Sequence, residues 1–93
     1  AIIGCGGIAN GKHMPSLKTV AGVEQVAFCD IVPAKAEKAA KEFGAPGAKV
    51  YADYRELLDK GGVDVVHVCT PNISHDEITI AALESGCHVM CEK

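Results

Sequence analysis

Residues 1–9, Ala1-Ile2-Ile3-Gly4-Cys5-Gly6-Gly7-Ile8-Ala9, decide the fold. An apolar run that ends on glycine and passes into helix-compatible sequence reads as a strand, a tight turn and a helix start. The spacing Gly4-x-Gly6-x-x-Ala9 gives each small residue a task. Gly4 permits the turn, Gly6 lets a pyrophosphate come up against the backbone, and Ala9 lets the helix pack close to the strand. Amides at the helix start, from Gly7 and Ile8 onward, then face the ligand with the positive end of the helix dipole. Taken alone, the string also suits a plain tight turn, so its weight depends on its surroundings.

Downstream, strand-like and helix-like segments alternate. A helix is expected from Ile8 to about Val20, with Met14, Leu17 and Val20 on one face, although Gly11 and Pro15 are poor residues for its interior. Pro15 therefore marks either a first turn or a kink. Val23–Asp30 reads as the second strand and Pro33–Phe43 as a helix, opened by its proline and closed by Gly44. A short strand follows at Lys49–Ala52, then a helix at Tyr54–Lys60 capped by Asp53. Val63–Thr70 is nearly all apolar, as in a parallel strand covered on both faces. A helix over His75–Ser85, with Ser74 and Glu77 as its capping box, leads to a fifth strand at Cys87–Cys91. This alternation, with loops of a few residues, implies a parallel α/β sheet with right-handed crossovers, and the expected arrangement is a doubly wound sheet in the order 3-2-1-4-5.

Three further places fall at the carboxyl ends of strands, where open α/β sheets bind their ligands. Asp30 ends the second strand, 21 residues beyond Ala9. A carboxylate there accepts hydrogen bonds from an adenosine ribose and repels a 2′-phosphate. With Ile31 and Val32 following, no Arg or Lys stands by to neutralise that phosphate, so NAD is favoured over NADP. The plainer alternative is a strand-ending turn. Thr70, Pro71 and Asn72 leave the fourth strand at the point where strand order reverses and would line the path to the nicotinamide half, or form an ordinary turn. Glu92 and Lys93 leave the fifth strand into the same crevice. Beside a low-dielectric pocket, the Lys93 ammonium can hydrogen-bond a substrate hydroxyl or donate a proton to a carbonyl. Without that context, the two residues are a solvated charge pair.

The composition excludes other classes. The chain has 93 residues, of which 48% are hydrophobic and 23% charged, with a formal net charge of −3. No basic run offers a footprint for nucleic acid. No apolar run approaches the roughly 20 residues needed to span a bilayer, and no signal core appears, so a cytoplasmic protein is expected. An odd set of five cysteines (Cys5, Cys29, Cys69, Cys87 and Cys91) reads as buried reduced thiols rather than a disulfide framework. Strand alternation sends His88 away from Cys87 and Cys91, which argues against a metal there. His13 is expected in the first helix, partly exposed, and His67 and His88 as packing residues within strands. The sequence opens and closes inside strand-like runs, so residues 1–93 read as one dinucleotide-binding domain, incomplete at both ends.

GCGGIA (4–9), FCD (28–30), CTPN with His75 three residues on (69–75), and AALESGCHVMCEK (81–93) together resemble the glucose–fructose oxidoreductase / inositol dehydrogenase / rhizopine-catabolism (Gfo/Idh/MocA) family, over the whole chain. The resemblance implies the amino-terminal NAD(P)-binding Rossmann domain of a protein several times longer. By resemblance, Lys93 is the lysine of the family's EKP motif, acting in proton transfer or in positioning substrate and nicotinamide. Glu92 and Asn72 are contacts near the nicotinamide ribose, and His75 borders the cofactor crevice. The implied activity is NAD-dependent hydride transfer to or from a secondary alcohol or ketone of a sugar, polyol or related small molecule. A missing carboxyl-terminal domain would supply a further catalytic histidine and the contacts of a homo-oligomer. Relatives that cleave glycosidic bonds by a transient oxidation, and non-catalytic nucleotide-sensing regulators, are the alternatives.

Overall fold

The computed structural model describes residues 1–7, 9–70 and 72–91, with backbone alone at 9, 10 and 72–74. Its strands are β1 (Ile2–Ile3), β2 (Ala27–Cys29), β3 (Lys49–Tyr51), β4 (Val65–Val68) and β5 (His88–Cys91). Its helices are α1 (Met14–Lys18), α2 (Pro33–Phe43), α3 (Tyr54–Lys60) and α4 (Asn72–Glu84), with a π-helical turn at Ala9–His13 leading into α1. The strands form one parallel sheet in the order β3-β2-β1-β4-β5, as the alternation predicts.

Register divides the strand residues cleanly between two faces. Val50, Phe28, Ile2, His67 and Met90 lie in one cross-sheet row, and Tyr51, Cys29, Ile3, Val68 and Cys91 in the next. Neighbouring rows point to opposite faces because the side-chain period of a strand is two. On the first face, Ile2 and Phe28 pack beneath Met14 of α1 and Ala36 and Ala39 of α2. The two alanines, one helical turn apart and fully buried, let α2 lie close against the sheet. On the second face, Ile3, Val66 and Val68 meet Leu57 of α3 and Ile78 and Ala82 of α4.

Several boundaries differ from the sequence expectation, each for a local reason. The segment after the glycines is not one α-helix. Pro15 lacks the N–H that an α-helix would bond to the carbonyl of Gly11, and the chain forms a wider π turn up to His13 before a short α-helix with proline in its first turn. β2 and β4 are shorter than the apolar runs that contain them because their outer neighbours pair with them only along Ala27–Cys29 and Val65–Val68. α4 begins at Asn72, so Ser74 lies inside it. The Glu77 carboxylate does not cap it but accepts hydrogen bonds from Tyr54 Oη (2.9 Å) and the Arg55 guanidinium (3.2 Å) on α3. α2 and α3 have the expected limits, and Asp53 caps α3 by accepting from Arg55 N at 2.9 Å. Gly44 closes α2 because a Cβ there would run into the Ala40 carbonyl oxygen and sit 2.8 Å from Ala48 Cβ.

β4 is not sealed on both faces. α4 lies on the second face, and on the first Met90 is 57% exposed and Val65 also reaches solvent. His88 shares that open edge and is exposed rather than packed. The same edge leaves Cys91 exposed, whereas Cys5, Cys29 and Cys69 are buried as expected; all five are thiols. Among the described residues no helix is long and apolar enough to cross a membrane.

Candidate functional site

The glycine turn, the end of β2 and the end of β4 meet at the carboxyl edge of the sheet. β1 lies between β2 and β4, so the order reverses there and its turn opens into the crevice that the two flanking connections leave. Gly4 has φ +92°, and its amide donates to the Cys29 carbonyl at 2.8 Å. A Cβ on Gly4 would stand 2.8 Å from the carbonyl carbon of Cys69 and from Thr70 N. The chain leaving β4 therefore runs directly against the turn, and both conformation and space demand glycine. A Cβ on Gly6 or Gly7 would meet no atom within 4 Å. Neither Gly6 nor Gly7 carries a side chain into the space before the turn, which is open among the described residues, as a bulky phosphate ligand requires.

Asp30 is tied to this turn. One carboxylate oxygen accepts from Cys5 N at 2.9 Å and the other from Val32 N at 2.8 Å. The second bond fixes the entry to α2, where Val32 offers no side-chain cap. The first joins β2 to the glycine turn across 25 residues of chain. The sequence reading missed this fastening, because nothing local signals so distant a contact. A carboxylate has about four lone-pair positions, so two amides leave room for two more donors. Asp30 is only half-buried and open to them.

The buried thiols beneath the turn are inert. Burial pushes both Cys5 and Cys29 up to about 12, with the Asp30 carboxylate adding to the shift. They stay protonated at neutral pH and pack as small hydrophobes. Among the described residues no three His, Cys, Asp or Glu side chains converge to hold a metal.

Thr70 stands at the mouth of the same crevice, and its buried hydroxyl has no hydrogen-bond partner among the described residues. His75, also buried, bonds the Thr70 carbonyl through Nε2. A carbonyl only accepts, so Nε2 carries the proton. His75 therefore braces the β4–α4 connection at Thr70. Ile31, beside Asp30, is 90% exposed, a bare aliphatic side chain at the crevice rim that the sequence reading weighed only for its lack of charge. Ala9 and Asn72 lie at the starts of the π turn and α4, described by backbone alone. Ile8, Pro71, Glu92 and Lys93 lie outside the described residues.

Comparison with known proteins agrees with this geometry. The family model described as an oxidoreductase family with an NAD-binding Rossmann fold matches residues 1–93. D-glucoside 3-dehydrogenase of Escherichia coli (strain K12) is 44% identical over 93 residues, covering 100% of this chain and 26% of its own length. Among solved structures, the WlbA dehydrogenase of Chromobacterium violaceum, in complex with NADH and UDP-GlcNAcA, superposes with a TM-score of 0.89 at 35% identity, over 99% of this chain and 26% of that one. KijD10, a 3-ketoreductase from Actinomadura kijaniata in complex with NADP and TDP-benzene, gives 0.89 at 32% identity, over 99% and 27%. The chain thus spans about a quarter of the length of the relatives it matches. With the whole chain matched by the family model and the sheet in the order β3-β2-β1-β4-β5, this chain belongs to the Gfo/Idh/MocA oxidoreductase family and carries its NAD-binding Rossmann fold.

Proposed function

We propose that residues 1–93 form the dinucleotide-binding domain of an NAD-dependent dehydrogenase or reductase. Its substrate would be a secondary alcohol or ketone on a sugar, polyol or related small molecule. The observation that carries this reading is the open space before Gly6 and Gly7 beside an Asp30 carboxylate with two acceptor positions left. The bare turn of Gly4, Gly6 and Gly7, continuing into Ile8 and Ala9, takes the pyrophosphate on its amides. Asp30 takes the adenosine ribose hydroxyls, and Ile31 offers an apolar surface for the adenine. Thr70, Pro71, Asn72 and Glu92 line the nicotinamide side, with His75 bracing them. NAD supplies the hydride acceptor when bound. Lys93 holds the substrate oxygen and passes its proton, as expected for an ammonium beside a water-poor pocket.

The relatives named above are a glucoside dehydrogenase and enzymes solved with nucleotide sugars or nucleotide-sugar analogues, which supports a carbohydrate-like substrate. On the same reading, a further domain of the longer, cytoplasmic protein supplies the rest of the substrate site and the contacts of a homo-oligomer.

The test is NADH formation by the full-length protein with a panel of sugars and polyols. Absorbance at the NADH band should rise with at least one of them, and Lys93→Ala should lower turnover by about 100-fold or more, the usual range for a positioned acid or base. Release of a sugar from a glycoside without net NADH would replace this reading with a redox-neutral one. Unchanged turnover in Lys93→Ala would remove Lys93 from the mechanism.

A further inference from the structure

Away from the glycine turn, two histidines touch. His13 closes the π turn, and His67 lies in β4 in the same cross-sheet row as Ile2 and Met90. Their Nδ1 atoms are 3.1 Å apart, and the rings meet edge to face with centroids 5.3 Å apart at 79°. A hydrogen bond between two imidazole nitrogens needs one N–H and one lone pair. Two neutral rings satisfy it when one of them carries its proton on Nδ1. One added proton also satisfies it, since the imidazolium then donates to the neutral ring. Two added protons leave N–H facing N–H between two cations, and the contact becomes repulsive.

The contact joins two segments that border the crevice. His13 ends the turn that begins just after the glycines, and His67 lies three residues ahead of Thr70 on the strand whose exit packs under Gly4. Water can reach His67 through a cleft of about 320 Å³ at the amino-terminal edge of the sheet, bordered also by Leu17 and Gln25. The charged and titratable side chains near the rings are Glu24 and Asp64 on the cleft wall, Lys12 next to His13, and His88 on β5. From β1, β5 and α1 the other near neighbours are the uncharged Ile2, Met90, Met14 and Leu17.

We propose that His13 and His67 form a proton-operated clasp. While at least one ring is neutral, it holds the turn after the glycines against β4. Double protonation opens it, loosening the crevice and lowering affinity for the dinucleotide. The affinity half rests on the dinucleotide reading above; the clasp itself does not. Burial, then the His13 ring, hold His67 below the ordinary histidine range, and the nearby carboxylates do not reverse that direction. A histidine whose folded pKa is depressed contributes stability above its unfolded value of about 6.5, and that contribution is lost as the pH falls below it.

The experiment follows the full-length protein from pH 7.5 to pH 5, reading its melting temperature without ligand and its affinity for NAD. In the wild type both should fall below about pH 6.5, the affinity by up to about tenfold per unit once the second proton binds. In His67→Met, which removes one ring but keeps an apolar side chain in the row, both curves should lose that step. His13→Gln removes the second ring but leaves His67 buried, so it should make the step shallower in both curves, and it serves if the first variant does not fold. Flat wild-type curves, or a step as steep in the variants as in the wild type, would overturn the clasp. A melting step that vanishes or grows shallower in the variants, in a protein that binds no NAD at any pH, would uphold the clasp and overturn the dinucleotide reading.

Discussion

Replacing Gly4 with alanine should remove about 3 kcal/mol or more of folding stability, enough to threaten a domain whose total margin is about 5–15 kcal/mol. Two costs add. The backbone sits at φ +92°, where an L-residue is strained by roughly 1–3 kcal/mol. The new Cβ would also press 2.8 Å from backbone atoms of Cys69 and Thr70, and neither can rotate away as a side chain could. Overpacking of that kind costs a further 1–3 kcal/mol or so. Urea unfolding of the full-length protein would read the loss. Gly6 provides the contrast, because its missing side chain faces open space. Gly6→Val should unfold within about 1 kcal/mol of the wild type. Equal stability of Gly4→Ala and the wild type would mean that the exit of β4 does not seat against the turn.

The second large effect falls on Asp30. Asp30→Ala removes the acceptor for Cys5 N and Val32 N together with the two positions proposed for the ribose hydroxyls. Hydrogen bonds to a charged group contribute about 1.5–3 kcal/mol each, so losing both ribose bonds should weaken NAD binding by about 100-fold or more. Asp30→Asn separates charge from shape. It keeps a carbonyl oxygen for one of the two amides while removing the negative charge. Two unit charges about 4 Å apart repel by about 4 kcal/mol at an effective dielectric of about 20, and less where water screens them. The preference for NAD over NADP should therefore shrink by tenfold or more in Asp30→Asn. Titrating both dinucleotides against both variants checks this, and an unchanged NAD-to-NADP ratio would deny Asp30 its part in choosing the cofactor.

Most of the architecture was legible from local chemistry. α2 and α3 begin and end as Pro33, Gly44 and Asp53 signal, because capping and φ restrictions act within a few residues. The parallel sheet followed from the alternation and the crossover rule, and its strand order from the glycine motif that marks a dinucleotide-binding fold. What escaped depends on distant partners. β2 and β4 stop short of their apolar runs where pairing with β3 and β5 ends, and Glu77 left its capping role for Tyr54 and Arg55 on another helix. The π turn was foreshadowed by Gly11 and Pro15, but its form was not. At the site, Gly4, Gly6 and Asp30 were readable from spacing, whereas the Asp30–Cys5 fastening, the brace of His75 on Thr70 and the exposure of Ile31 needed the fold. The sequence reading also kept His13 and His67 apart, since 54 residues separate two rings that meet only across β4 and the π turn.

Calorimetric titration of the full-length protein with NAD and NADP at pH 7.5, for the wild type and Gly6→Val, tests the central claim most directly. The wild type should bind NAD, and more tightly than NADP, while Gly6→Val, melting within a few degrees of it, should bind neither. A folded wild-type protein without affinity for either dinucleotide, or a Gly6→Val variant that binds as well as the wild type, would contradict it.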